Sequence, residues 1–502
     1  MSKPGWPNSE SGARGRAAPS MLGRSLGGSM QKSLSIALIA MAAGGLAVGA
    51  AAFDFRPDKT VRVVTGLTAK TLCSDVFVSG LDPASVFHQA IASRPGPRLL
   101  ARRIRWRIDR QDGSVSATWL GHFASRAIYR PGLGCLLLQG SGPVDESRPA
   151  PGPSTPPPPP RIAGSGVVTP ANPGLKAALD HIFTDPADGP PRWLRAVVVL
   201  KDGRIVAERY GPGVGVDTPL IGYSATKSVI SALVGVLVRQ GRLDVNRPAP
   251  VAVWTRVGDP RGAITIDNLL RMTSGLAIAQ TGSGFDPASR MLYTERDMAG
   301  FAERRPLARP IGTRWDYSDA STLIVSRIVR DAAGGDASSV LGLARRELFD
   351  PLGMKTATLE TDATGTPVGS TGMLASARDW ARFGYLYAHD GVIGGRRLLP
   401  PGRVAYSRTS TLGTSYGAGF WTNDGPSPEA AGRIRAGMPC DGFFASGVLG
   451  QRVYILPSSD LVIVRFGVTE AAPDYDIAGD MRLVREVRAS LPTAPRPACS
   501  KG

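Results

Sequence analysis

The chain has 502 residues, of which 42% are hydrophobic and 20% charged. That is room for two to four structural units at ~100–200 residues each and enough apolar surface for a sizeable core, which excludes a wholly disordered, collagen-like or mini-protein architecture. Lys plus Arg number 59 against 41 acids, a balance of +18 in which only nine are lysine; such basicity permits an anionic partner without naming one, and solvated arginine-rich faces are its plainest explanation.

Residues 1–32 form a basic tail carrying Lys3, Arg14, Arg16, Arg24 and Lys32. Residues 33–53 (SLSIALIAMAAGGLAVGAAAF) then run 21 positions without a charge, long enough for one helical crossing of a bilayer. Two readings compete. Ala50-Ala51-Ala52 resembles a signal-peptidase site, and translation from Met21 or Met30 would make an ordinary signal peptide. The run is longer than a usual signal core, which favours an uncleaved anchor with its basic flank in the cytoplasm. Both readings export everything after residue 54. The expectation is an inner-membrane-anchored chain whose remainder lies in the periplasm, or a chain released there by cleavage. An exported chain meets anionic lipid or cell-wall polymer before nucleic acid, which is not expected as a partner.

Export bears on the four cysteines, Cys73, Cys135, Cys440 and Cys499. None forms a C-x-x-C pair and no histidine stands at metal-ligand spacing, so no metal site is expected. An even count outside the cytoplasm suggests disulfides, with Cys73–Cys135 and Cys440–Cys499 the pairs implied by region; four buried thiols are the alternative.

Residues 57–140 read as a small mixed α/β domain. TVRVV at 60–64, RRIRWRI at 102–108 and SVSATWL at 114–120 have strand composition, and DPASVFHQAIA at 82–92 suits a helix. Arg103, Arg105 and Arg107 alternate with Ile104, Trp106 and Ile108, which puts the arginines on one strand face. That face suits an anionic surface such as lipid headgroups or wall polymer, and equally plain solvation. Residues 141–172 contain five successive prolines at 156–160 and read as a semi-rigid spacer.

From 173 to 491 the texture is globular, followed by a short tail at 492–502. LKAALDHIFTD suggests a helix. RAVVVLKDGRIVAERYG and QRVYILPSSDLVIVRFG each suggest a hairpin, and TIDNLLRMTS, DASTLIVSRIVRDAA and SARDWARFGYLYAHD suggest helices between them, the last with a capping box from Ser376 and Asp379. A final helix is expected over 473–490. Strands at both ends with helices between predict an antiparallel sheet closed by distant segments, plus a helical subdomain.

The informative stretch for chemistry is IGYSATKSVISALVGVLVRQGRLDV. Ser224 and Lys227 stand three apart at the start of an apolar helix pattern, so the lysine nitrogen can reach the serine oxygen. A serine hydroxyl needs a base, and lysine serves as one where burial or a nearby positive charge lowers its pKa. Only four histidines occur, His88, His122, His181 and His389, none beside a catalytic pattern, and no G-x-S-x-G surrounds Ser224; a Ser-His-Asp triad is disfavoured. Ser224 as a mere helix N-cap and Lys227 as a solvated first-turn lysine are the bland readings.

Tyr223-Ser224-Ala225-Thr226-Lys227, then NLLRMTSGL at 268–276, WDYSDAS at 315–321, FDPLGMKTA at 349–357 and GQRVYILP at 450–457 occur in that order. Together they resemble the serine β-lactamase-like hydrolases: class C β-lactamases, penicillin-binding DD-peptidases, family VIII esterases and 6-aminohexanoate-dimer hydrolases. The resemblance covers roughly 173–491. It implies a β-lactamase/transpeptidase-like α/β (α+β) fold, an antiparallel sheet with flanking helices packed on a helical subdomain, with the site in the groove between them. It makes Ser224 the acyl-forming nucleophile, Lys227 its base and Tyr317 a proton relay to the leaving group, with an oxyanion hole from the backbone N–H groups of Ser224 and Val448. No cofactor is implied.

Two departures stand out. Asp319 occupies a position where the family has asparagine, and the usual K-T-G appears as Ala445-Ser446-Gly447. Loss of the lysine weakens the site for a β-lactam carboxylate, so the resemblance points to an amidase or esterase of the 6-aminohexanoate-dimer hydrolase or family VIII type, acting on a small-molecule or peptide amide or ester. A catalytically silent or DD-peptidase-like envelope protein that binds peptidoglycan is the rival. Asp319, Ser446, Gly447, Trp315 and Tyr223 are groove candidates, the last two more as packing than as substrate contacts.

Overall fold

The computed structural model describes residues 57–94, 96–148, 161–281, 284, 286–469 and 476–492. No helix among them is long and apolar enough to cross a membrane. The apolar run 33–53, the basic tail and Cys499 lie outside the described residues.

The N-terminal unit lays one long helix, Pro57–Cys73, across a four-stranded antiparallel sheet. The strands are Ile104–Asp109, Ser114–Trp119, His122–Arg130 and Gly134–Leu138, paired in chain order. The strand expected at 60–64 is therefore corrected to helix. Its β-branched composition is local, whereas buried Val63, Val64, Leu67 and Leu72 recur at helical spacing over 17 residues, and that longer period wins. The 82–92 segment is helical, first as an α-helix over Pro83–Phe87 and then as a wider π-turn over His88–Ala92. Cys73 closes the long helix and is disulfide-bonded to Cys135 on the last strand, with Cα atoms 6.0 Å apart. Cys440 is not a free thiol. Arg103, Arg105 and Arg107 are exposed while Ile104 is buried, as period two requires.

The larger unit is built on a six-stranded antiparallel sheet in the order Trp421–Thr422, Phe443–Gly447, Gln451–Leu456, Leu461–Gly467, Leu194–Lys201, Arg204–Tyr210. Chain ends thus meet at its centre, where Leu461–Gly467 pairs with Leu194–Lys201. The first hairpin turns on Asp202 and Gly203, both at positive φ (50° and 72°), the backbone a two-residue turn needs and one that glycine takes without strain. Helices Pro173–Phe183 and Ile477–Ala489 cover one face. The other face carries Ala377–Ala388 and, beyond it, the helical subdomain. At the centre of the core runs Thr226–Arg239, buried from Thr226 to Leu237. Only half of the capping box expected at 376–379 forms: Ser376 Oγ accepts from the Asp379 N–H at 3.2 Å, but the Asp379 carboxylate is taken by the N–H and hydroxyl of Thr356.

Segments on either side of the prolines are tied to this unit. Ile162 O accepts from Ile205 N and Val168 O from Glu208 N along the outer strand, while Arg378 donates to Gly164 O and Gly166 O. Earlier in the chain, Asp145 accepts from the N–H of Ala337 at 2.9 Å. The N-terminal helix itself is docked through Glu360, whose side chain has no solvent exposure. Its carboxylate is ion-paired to Lys70 and accepts from Ser74 Oγ at 2.8 Å and from the Cys135 N–H at 2.7 Å. Removing one partner of a buried ion pair leaves an uncompensated charge, at a cost of about 3–5 kcal/mol. Lys70→Ala is therefore expected to lower the protection of the Pro57–Cys73 amides by roughly this amount in native-state hydrogen exchange. Unchanged protection would mean that the helix is held elsewhere.

Candidate active site

Ser224 lies in a short 3₁₀ turn, Tyr223–Ala225, that runs directly into the buried helix Thr226–Arg239. The turn is tight. Tyr223 sits at φ 44°, a left-handed conformation uncommon for a bulky residue and maintained only where its surroundings over-determine it. The constraint comes from the strand Phe443–Gly447. A Cβ on Gly447 would lie 2.1 Å from Gly222 O and 3.1 Å from Tyr223 Cβ, so glycine alone lets strand and turn come this close.

The Ser224 hydroxyl makes no helix-cap bond; it accepts from Lys227 Nζ at 2.9 Å. Lys227, 2% exposed, also donates to Ser370 O at 3.0 Å and is ion-paired to Asp319. Its Nζ lies 4.9 Å from the Tyr317 ring centre. Burial disfavours the ammonium, but the Asp319 carboxylate and the Tyr317 phenol outweigh it, and the pKa of Lys227 is raised above the ordinary lysine value. A lysine activated simply by a lowered pKa, as the sequence suggested, is thus not what this pair provides. The resting site holds an ammonium.

Asp319 opens the helix Asp319–Ala333 and is fixed from its other side by Gln280, whose amide nitrogen donates to Asp319 Oδ2 at 2.9 Å while its oxygen accepts from the Asp319 N–H at 2.6 Å. Tyr317 packs in a cluster with Trp315, Tyr416 and Trp421, stacked on Trp421 at 5.8 Å and edge-on to Tyr416 at 5.8 Å. The Tyr416 hydroxyl is buried without a hydrogen-bond partner among the described residues, and burial holds its pKa well above the ordinary phenol value.

These groups open onto a cavity of about 390 Å³ lined by Tyr223, Ser224, Tyr317, Asp319, Trp421, Ser446, Gly447 and Val448, among others. The structure thus brings every candidate to the cavity wall except Lys227, which is buried and bonded to Ser224, and Trp315, which packs against Tyr317. Ala445 is fully buried in the core, so the position of the absent lysine contributes nothing to the wall. Among the described residues no cluster could hold a metal ion. Sequence reasoning missed Gln280, Tyr416 and Trp421, which lie in loops or a two-residue strand with no periodic signal. It also missed the far wall, where Val63, Val64, Leu67 and Arg94 come from the N-terminal unit.

Residues 195–483 match the family model described as Beta-lactamase. The chain belongs to the β-lactamase family of serine hydrolases. A relative, the 6-aminohexanoate-dimer hydrolase of Paenarthrobacter ureafaciens, is 26% identical over 327 residues, spanning 61% of this chain and 76% of its own. Two solved structures share the β-lactamase-like fold. A penicillin-binding protein homolog from Caulobacter crescentus superposes with a TM-score of 0.51 at 20% identity, covering 66% of this chain and 100% of its own. A family VIII carboxylesterase gives 0.51 at 15%, covering 65% and 99%.

In this β-lactamase-family fold the approach of Gly447 to the turn that carries Ser224 leaves no room for a Cβ. Gly447→Ala is expected to cost about 1–3 kcal/mol, the usual range for overpacking a dense site. A lowered urea midpoint would register it; a midpoint equal to that of the parent chain would show that strand and turn part freely.

Proposed function

We propose that this β-lactamase-family hydrolase cleaves an amide or ester through an acyl-enzyme on Ser224. The observation that carries the reading is the buried chain Ser224 Oγ, Lys227 Nζ, Asp319 Oδ1, in which nucleophile, amine and carboxylate are linked in series. Because Lys227 rests as an ammonium, the serine proton has to be taken by a relay. As Ser224 Oγ attacks the substrate carbonyl its proton passes to Nζ, and an Nζ proton passes to Asp319 Oδ1. The pair thereby passes from neutral to a single positive charge, which balances the negative charge developing on the substrate oxygen. The Ser224 and Val448 N–H groups would hold the oxyanion, and the Tyr317 phenol would protonate the leaving group; its phenolate would then take a proton from the attacking water, while the Asp319 proton returns through Lys227 to Ser224 Oγ as the acid leaves.

Substrate preference is read as the amidase or esterase type. Ala445 leaves the usual carboxylate-binding lysine absent, and the relative from Paenarthrobacter ureafaciens is named for hydrolysis of a linear amide dimer. The proposed setting is the cell envelope, anchored through residues 33–53 or released after cleavage. The Cys73–Cys135 disulfide supports an oxidising compartment.

Ser224→Ala is expected to abolish labelling by a fluorophosphonate probe, and Lys227→Ala to lower kcat by about 10²–10⁴-fold. Persistent labelling of Ser224→Ala, or no acyl mass shift with a panel of amides, esters and β-lactams, would overturn the assignment in favour of a silent binding protein.

The relay also has a pH signature. The parent pair accepts the serine proton on the Asp319 carboxylate, whereas Asp319→Asn leaves only Lys227, which must first lose its own proton. Amines do so at much higher pH than carboxylates. Asp319→Asn should therefore move the acidic limb of the kcat/KM profile to higher pH. A move to lower pH would identify Lys227 alone as the base, since removing the carboxylate removes what raises its pKa.

A further inference from the structure

Part of the wall of the cavity that contains Ser224 is not built by the unit that carries it. Val63, Val64 and Leu67, one stripe of the helix Pro57–Cys73, line it together with Arg94 and Pro97 from the segment that follows. All five precede residue 195, where the family match begins. The helix is held in place by the Glu360 cluster and the Cys73–Cys135 disulfide, so the wall is a fixed part of the site.

Arg94 is the cation among the described residues of the lining. It is half-buried, and among the described residues its guanidinium has no ion pair or hydrogen bond. The acids around the cavity are engaged elsewhere. Asp319 is paired to Lys227 and bonded to Gln280. Asp286 is buried and accepts from the N–H and hydroxyl of Ser289 and from the hydroxyl of Thr281. Arg94 shares the cavity lining with Tyr223 and Tyr293, and its charge works against the rise that burial gives the pKa of each phenol. A cation without an internal counter-charge, in a cleft with low-dielectric walls, concentrates anions there.

We infer that the substrate carries a carboxylate that pairs with Arg94, next to an apolar stretch that packs on Val63, Val64 and Leu67. Arg94 is then a specificity-determining residue contributed by the N-terminal unit. It supplies from that side the positive charge that position 445 lacks. The inference rests on the hydrolase reading only in calling the bound molecule a substrate.

Binding and turnover separate the two ideas. In the full chain carrying Ser224→Ala, the monoamide of hexanedioic acid, which has one carboxylate, is titrated calorimetrically against the neutral diamide. The carboxylate is expected to bind about tenfold more tightly or better, as a charge-assisted hydrogen bond would give. Adding Arg94→Gln should erase that preference, and Arg94→Lys should restore part of it. In the otherwise unaltered chain, Arg94→Gln should lower the ratio of kcat/KM for the p-nitrophenyl half-ester of hexanedioic acid to kcat/KM for neutral p-nitrophenyl hexanoate about tenfold. No preference for the carboxylate, whether from equal binding or from none, overturns the inference, as does a preference that survives Arg94→Gln. If the preference holds while a fluorophosphonate fails to label Ser224, the Arg94 site stands and the acyl-enzyme reading falls.

Discussion

The buried carboxylate of Glu360 is the interaction on which this architecture turns. A fully enclosed carboxylate has to be matched by donors, and here all of the bonded ones come from the N-terminal unit: the Lys70 ammonium, the Ser74 hydroxyl and the Cys135 amide. The arrangement is self-consistent. Cys135 is also the residue cross-linked to Cys73 at the end of the same helix, so covalent and ionic restraints converge on one turn of chain. The consequence is functional: with that turn fixed, Val63, Val64 and Leu67 lie along the cavity that contains Ser224. Two segments far apart in sequence thus line one cavity.

The second constraint is electrostatic. Burial alone would push Lys227 towards a neutral amine, the form needed by a free-standing base. Asp319 reverses this, and Gln280, bonded to both the backbone and side chain of Asp319, fixes the carboxylate where the reversal is strongest. The same contact therefore holds Lys227 as an ammonium and hinders simple base catalysis, a conflict that the proposed transfer of a proton to Asp319 would resolve. An asparagine at 319 could accept the lysine bond but could not store a proton.

Legibility from the sequence followed locality. Ser224 and Lys227 were readable because a helical turn fixes their spacing, and the two long hairpins because each pairs neighbours across a short turn. Tyr317 and Ser446-Gly447 needed the family order, since only the fold brings them to Ser224. Gln280, Tyr416 and the Val63–Arg94 wall gave no signal: their roles come from long-range packing. The misread helix at 60–64 has the same origin. Five β-branched and basic residues describe a strand over a short window, while the stripe that contacts the sheet is visible only over the full helix.

The two departures from the family pattern have one electrostatic consequence. Aspartate in place of asparagine at 319 and alanine in place of lysine at 445 each move the site one charge in the negative direction. Left alone, such a cleft would repel anions. Lys227 does not correct it, because its charge is already spent on Asp319. Arg94 does, from a unit outside the family match that lines the same cavity. The strongly basic composition therefore divides by location rather than by amount. Arg103, Arg105 and Arg107 stand in solvent, where water screens them, whereas one arginine facing an apolar-walled cavity acts at close range on whatever molecule reaches Ser224.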